Sequence, residues 1–208
     1  MQQQKINDIL IFLQRTKGLE SVERYNSSLS AMRNTVAEHS WRLGLMALII
    51  APQCNVALDM SKVLALALAH DLAEAKTGDI DAYEKILSGE KFVSQKMARE
   101  DEAMREMTGD LSFGKTVYAL WREYTEQTTV EAKFVKALDK IEGFLHIAEK
   151  GVEAYIPKEF HASYADKAVA AFDEITGPFP ELGDLLEAVK KDLKKQFEEV
   201  GVKWIETR

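Results

Sequence analysis

His70 and Asp71 stand side by side at the end of an apolar run, Val63-Leu64-Ala65-Leu66-Ala67-Leu68-Ala69. An imidazole and a carboxylate simply buried on a core helix cost desolvation energy. A divalent cation removes that cost, because it takes both as ligands and supplies the missing positive charge. His39, upstream in Thr35-Val36-Ala37-Glu38-His39-Ser40, and Asp139, downstream in Lys136-Ala137-Leu138-Asp139-Lys140, extend the set. Mixed nitrogen and oxygen donors suit one divalent ion from among Co, Mn, Mg, Zn, Ni and Fe better than copper(I) or an iron–sulfur cluster. Four protein ligands on an ion that can take six leave room for water and substrate, as a catalytic site requires.

The elements that must hold these residues are helices. Ile6 to Leu13 has apolar residues at helical spacing, with Gly18 as a stop. Leu19 to Asn34 reads as a structured loop. Thr35-Val36-Ala37-Glu38 matches a capping box, which predicts a helix from Val36 to about Ala51, with His39 in its first turn and Pro52 at its end. A second core helix starts near Asp59 or Ser61 and carries Val63 to Ala73, before the turn signal Thr77-Gly78-Asp79. Further helices are expected at about Glu90–Met107, Ser112–Glu126, Val130–Lys150, Glu159–Thr176 and Glu181–Val200, with Gly151 and Gly177 at helix ends. Strand-like alternation is absent. The expectation is an all-α, single-domain bundle over 1–208, with C-terminal helices packing on the motif core. The four ligand candidates then lie on three helices and converge in the bundle interior. Adjacent His70 and Asp71 reach one ion only if their helix ends or distorts there.

The composition sets outer bounds. The chain has 208 residues, enough for one sizeable core, and its single cysteine, Cys54, excludes a disulfide framework or a thiolate cluster within one chain. The N-terminal residues lack a signal-peptide pattern and no apolar run is long enough to span a bilayer, so a cytoplasmic protein is expected. A net charge of −7 argues against general nucleic-acid binding. It leaves room for a small phosphorylated substrate, since one metal ion and one arginine can hold one phosphate.

Taken together, Thr35-Val36-Ala37-Glu38-His39-Ser40, His70-Asp71-Leu72-Ala73-Glu74, Thr77-Gly78-Asp79-Ile80 and Leu138-Asp139-Lys140 resemble the HD-domain metal-dependent phosphohydrolases, above all the small bacterial 5'-deoxynucleotidases. With an upstream arginine the likeness covers Leu19 to about Ile147. It implies that His39, His70, Asp71 and Asp139 hold one divalent cation, and that Glu74 activates water or transfers a proton. It implies that Arg24, fifteen residues before His39, orients the phosphate, with Arg33 a competitor for that role. Asp79, Ile80, Asp81 and Ala82 are implied to contact the nucleoside, with Tyr25 beside them. Tyr25 departs from the family, whose members carry a Trp there associated with deoxyribose preference, so that preference does not carry over. The implied reaction is hydrolysis of (deoxy)nucleoside 5'-monophosphates to nucleoside and phosphate. The alternatives are an HD phosphodiesterase or pyrophosphohydrolase on a larger nucleotide, or a non-catalytic nucleotide sensor. The implied partner is a small nucleotide, with neither nucleic acid nor membrane, and a homodimer is compatible with the resemblance.

Gly109-Asp110-Leu111-Ser112-Phe113-Gly114-Lys115-Thr116 matches the P-loop pattern letter for letter. The mechanism behind that pattern needs a preceding buried strand, whereas Lys96 to Glu102 is a charged helical stretch. His146 and His161 read as structural, and Trp41, Trp121 and Trp204 are too dispersed to form a stacking platform.

Overall fold

The computed structural model describes residues 2–25, 34–79, 90–155 and 177–201. Ile80, Asp81, Ala82, Arg33, His161, Trp204 and the whole helix expected at Glu159–Thr176 lie outside the described residues. The chain is all-α: among the described residues the sole β-type pairing is an isolated antiparallel bridge between Glu23 and Thr35.

Helix α1 spans Gln3–Thr16 and runs into a 3-10 turn, Lys17–Glu20. Helix α2 spans Val36–Ile50, as its capping box requires: the Thr35 hydroxyl accepts from the Glu38 amide while the Glu38 carboxylate accepts from the Thr35 amide. Pro52 sits in the 3-10 turn Ala51–Gln53 that closes this helix. Helix α3, Met60–Ala69, starts where the Asp59 carboxylate accepts from the amides of Ser61 and Lys62. The short helix α4 covers Glu74–Thr77 and ends at Gly78, whose φ of 73° suits glycine. Helix α5 is Glu90–Thr108, α6 is Gly114–Glu126 and α7 is Val130–Lys150, capped by Thr129 and ended by Gly151 at φ 98°. A single turn, α8, follows at Val152–Tyr155, and the 3-10 turn Pro180–Leu182 leads into α9, Gly183–Glu199.

Helices α2, α3 and α7 pack on one another, α9 lies along α7, and α6 bridges α3, α5 and α7. Their shared core holds Leu43, Leu66, Phe134, Leu138, Ile141 and Phe197, each wholly buried. A smaller cluster, Ala69, Leu72, Ala73, Ala103, Met104 and Trp121, sits under the end of α3. The apolar run therefore faces the core on two sides where it meets His70.

The expectation that α3 carries on through Ala73 needs correction. The regular helix ends at Ala69, and residues 70–73 form tight turns, with the amides of Leu72 and Glu74 donating three residues back to Ala69 and Asp71. This break lets two adjacent side chains turn toward one point. The P-loop lookalike forms no phosphate cradle: it is a turn from α5 into α6, and a helix precedes it where the motif requires a strand. A Cβ on Gly114 would fall 1.7 Å from the Thr108 carbonyl oxygen, so close backbone packing accounts for that glycine.

Candidate active site

His39 lies in the first turn of α2, His70 and Asp71 in the turn after α3, and Asp139 in the middle of α7. The structure brings all four together. His39 Nε2 is 3.2 Å from His70 Nε2, 3.2 Å from Asp139 Oδ1 and 3.8 Å from Asp71 Oδ2, while His70 Nε2 is 2.9 Å from Asp71 Oδ2. Donor atoms of His39, His70 and Asp71 lie within 4.8 Å of one another.

The hydrogen bonds behind these atoms determine their chemistry. His70 Nδ1 is 2.8 Å from the Ala67 carbonyl oxygen, an acceptor only, so Nδ1 carries the proton and Nε2 keeps a lone pair. His39 Nδ1 lies 2.5 Å from Glu142 Oε2 and donates to it, which leaves His39 Nε2 in the same state. Two imidazole lone pairs and two carboxylate oxygens thus converge with no donor among them, an arrangement that suits a cation. When a proton takes the cation's place, burial and Arg24 oppose it, but Asp139 and Glu142 outweigh them and raise the His39 pKa to about 9. Burial likewise disfavours charge on Asp71 and Asp139. The imidazoles for the first, and Lys136 with His39 for the second, nonetheless hold both carboxyls well below the usual range.

Asp139 is held from behind. Its Oδ2 accepts from the Tyr124 hydroxyl at 2.7 Å and from Lys136 Nζ at 3.1 Å, which frees Oδ1 to face His39. The Tyr124 ring also meets His70 edge-on at 5.1 Å between centroids.

Glu74 opens α4 and is 4 % exposed. Burial, with the charges of Asp71 and Asp79, pushes its carboxyl up to about 10, and Lys96 partly counters this. Lys96 of α5 donates to Glu74 Oε1 at 3.3 Å and pairs with Glu100 at 3.1 Å, while Glu74 Oε2 is buried without a hydrogen-bond partner among the described residues. The helix expected to carry both Asp71 and Glu74 ends before them at Ala69, yet the three-residue turn, with the Glu74 amide donating to the Asp71 carbonyl, preserves their proximity. Asp79 follows Gly78 closely enough for its charge to act on Glu74 and Tyr25.

Arg24 Nη1 donates to Glu142 Oε2 at 3.1 Å and, more weakly, to Asn34 Oδ1 at 3.4 Å. Burial opposes its charge, but Tyr25, Glu142, Asp139 and Asp71 more than offset it and keep the guanidinium ionised. Tyr25 adopts the left-handed conformation at φ 58°, costly for a bulky residue. Its hydroxyl donates to the Gly143 carbonyl at 3.1 Å, and its ring stacks on buried His146 at 5.3 Å, nearly parallel. His146, seven residues after Asp139 on α7, is thus packed.

Sequence reasoning missed Glu142, Lys96, Tyr124 and Lys136 in this neighbourhood. Glu142 and Lys136 lie three residues either side of Asp139 on α7, a spacing that puts them on its face and could have flagged them. Tyr124 and Lys96 come from other helices and have no local signal. Trp41 is exposed and Trp121 buried, so these two form no stacking platform.

This geometry belongs to a recognised class. The HD-domain family model matches residues 17–176, and the chain belongs to that family. Among curated relatives, the 5'-deoxynucleotidase HDDC2 of Homo sapiens is 38% identical over 117 residues, 55% of this chain and 53% of that protein. The 5'-deoxynucleotidase HDDC2 of Dictyostelium discoideum is 30% identical over 152 residues, 70% of this chain and 75% of that protein. The chain spans about half the length of the vertebrate relatives it matches. A crystal structure of a predicted metal-dependent phosphohydrolase from Magnetospirillum magnetotacticum superposes with a TM-score of 0.75 at 24% identity, covering 93% of this chain and 97% of the other. An HD-domain phosphohydrolase from Listeria innocua gives 0.66 at 18% identity, covering 92% of each chain. These structures share the fold.

Proposed function

We propose that the protein is a metal-dependent phosphomonoesterase that hydrolyses (deoxy)nucleoside 5'-monophosphates. The observation that carries the reading is the meeting of four acceptor atoms, from His39, His70, Asp71 and Asp139, beside a half-buried ionised arginine and a buried carboxyl. The naming of the curated relatives as 5'-deoxynucleotidases supports the substrate class.

A divalent cation held by His39, His70, Asp71 and Asp139 would polarise a phosphate oxygen and make water a nucleophile near neutral pH. Arg24 donates to the remaining phosphate oxygens and offsets the charge that builds on them. In chelated protein burial, with repulsion from Asp71 and Asp79, holds a proton on Glu74, and positive charge at the ligand cluster works against that repulsion. Glu74 then accepts the proton of the attacking water and returns it to the 5'-oxygen as the P–O5' bond breaks and the new P–O bond forms. Tyr25 and the segment from Asp79 through Ile80, Asp81 and Ala82 hold the nucleoside.

The remaining parts of the reading are a cytoplasmic location, a single HD domain over 1–208 and a homodimer, in line with the family resemblance. Among the described residues, no helix is long and apolar enough to cross a membrane.

The test is phosphate release from a panel of ribo- and deoxyribonucleoside 5'-monophosphates, using chelated protein resupplied with Co, Mn or Mg. Release that needs metal and disappears in Asp71→Ala is the expected result, and the ribose-to-deoxyribose ratio reports what Tyr25 permits. No release from any monophosphate overturns the reading and directs the search to larger nucleotides.

A further inference from the structure

Glu142 is wholly buried on α7, and a single oxygen of its carboxylate serves two functional side chains. Oε2 accepts from His39 Nδ1 at 2.5 Å and from Arg24 Nη1 at 3.1 Å. Among the described residues Oε1 has no hydrogen-bond partner, and the cation beside it is Arg42, with Nε at 3.7 Å. A buried carboxylate is tolerated when charged donors compensate it, and here the compensation comes from the residues that the proposed reaction uses.

We propose that Glu142 is a positioning residue that sets the metal-binding face of His39 and the phosphate-binding geometry of Arg24 together. The assignment rests on the phosphomonoesterase reading for the role of Arg24, and on the donor geometry alone for His39. Accepting from Nδ1 keeps the His39 proton on that nitrogen, so Nε2 presents its lone pair beside His70, Asp71 and Asp139. Accepting from Nη1 gives the half-buried guanidinium a fixed counter-charge, and Nε and Nη2 are the donors it presents to an oxyanion. A glutamine at this position presents no charge to Arg24. If its amide nitrogen turns toward His39, it donates to Nδ1 and moves the ring proton to Nε2, where a metal must bind.

The experiment compares wild type with Glu142→Gln in the full chain by calorimetry. It measures Mn affinity of the chelated protein, then inorganic phosphate affinity at saturating Mn. The expected result is that Mn binding weakens by about 10- to 100-fold and that phosphate binding at saturating Mn also weakens. Unchanged Mn affinity overturns the proposal, and so does unchanged phosphate affinity, which would reduce Glu142 to a support for His39 alone. Should the variant fail to fold, nitrogen NMR of wild-type imidazoles with Mg bound still decides: a His39 proton on Nε2 overturns the assignment. Neither readout uses a nucleotide, so failure of the monophosphate panel and failure of this proposal are separable.

Discussion

At the scale of single residues, the candidate site is a set of acceptors whose partners settle what each can do. Against burial and Arg24, Asp139 and Glu142 let His39 in the chelated protein hold a proton up to a pKa of about 9. A metal ion must displace that proton. Mn binding at pH 7 is therefore expected to release a proton, and affinity to rise with pH until about 9; calorimetry in buffers of different ionisation enthalpy measures both. The raised pKa stabilises chelated protein fully below 6.5, and that contribution fades as pH climbs toward 9. Glu74 shifts stability with pH in the same direction, since its folded state also holds a proton the unfolded chain gives up, but here the charged form is the one penalised. Burial beside Asp71 and Asp79 raises its carboxyl to about 10, so its ionisation in the folded state is unfavourable between 4.5 and that value. Glu74→Gln is expected to raise the melting temperature of chelated protein at pH 8 while lowering kcat by about 100- to 10,000-fold. An unchanged kcat would remove Glu74 from the reaction.

At the scale of elements, the helix ends position the chemistry. The capping box at Thr35, four residues before His39, starts α2, and the break after Ala69 turns His70 and Asp71 toward α2. Thr35→Ala removes one half of that box, and denaturant unfolding is expected to show a loss of about 1 kcal/mol. Much of the site was legible here. The capping box marks Val36, Asp59 marks α3, and Pro52 and Gly151 mark ends, because such signals act within one turn of backbone. The break at residues 70–73 was legible only as a requirement for adjacent ligands to meet.

At the scale of the whole molecule, α9 buries Leu186, Val189, Leu193 and Phe197 against the core that carries Asp139 and Glu142. Truncating the wholly buried Phe197 to Ala is expected to destabilise the protein by about 3–5 kcal/mol in denaturant unfolding. By contrast, Arg15 and Asp110 join α1 to the turn after α5 through an exposed pair at 2.6 Å. Asp110→Asn is expected to change stability by less than about 1 kcal/mol in the same assay, since exposed pairs are screened by solvent.

What the sequence alone determined is the all-α class, most helix boundaries and the identity of the four ligand candidates. Periodicity and capping are local, and the ligand types announce their chemistry wherever they stand. Tertiary structure alone decided which nitrogen of each imidazole faces the centre, and which residues stand behind the ligands. Glu142 lies 103 positions from His39 and 118 from Arg24. No backbone signal spans such separations; the packing of α2 against α7 brings His39 to Glu142, and the segment before α2 brings Arg24 to the same oxygen.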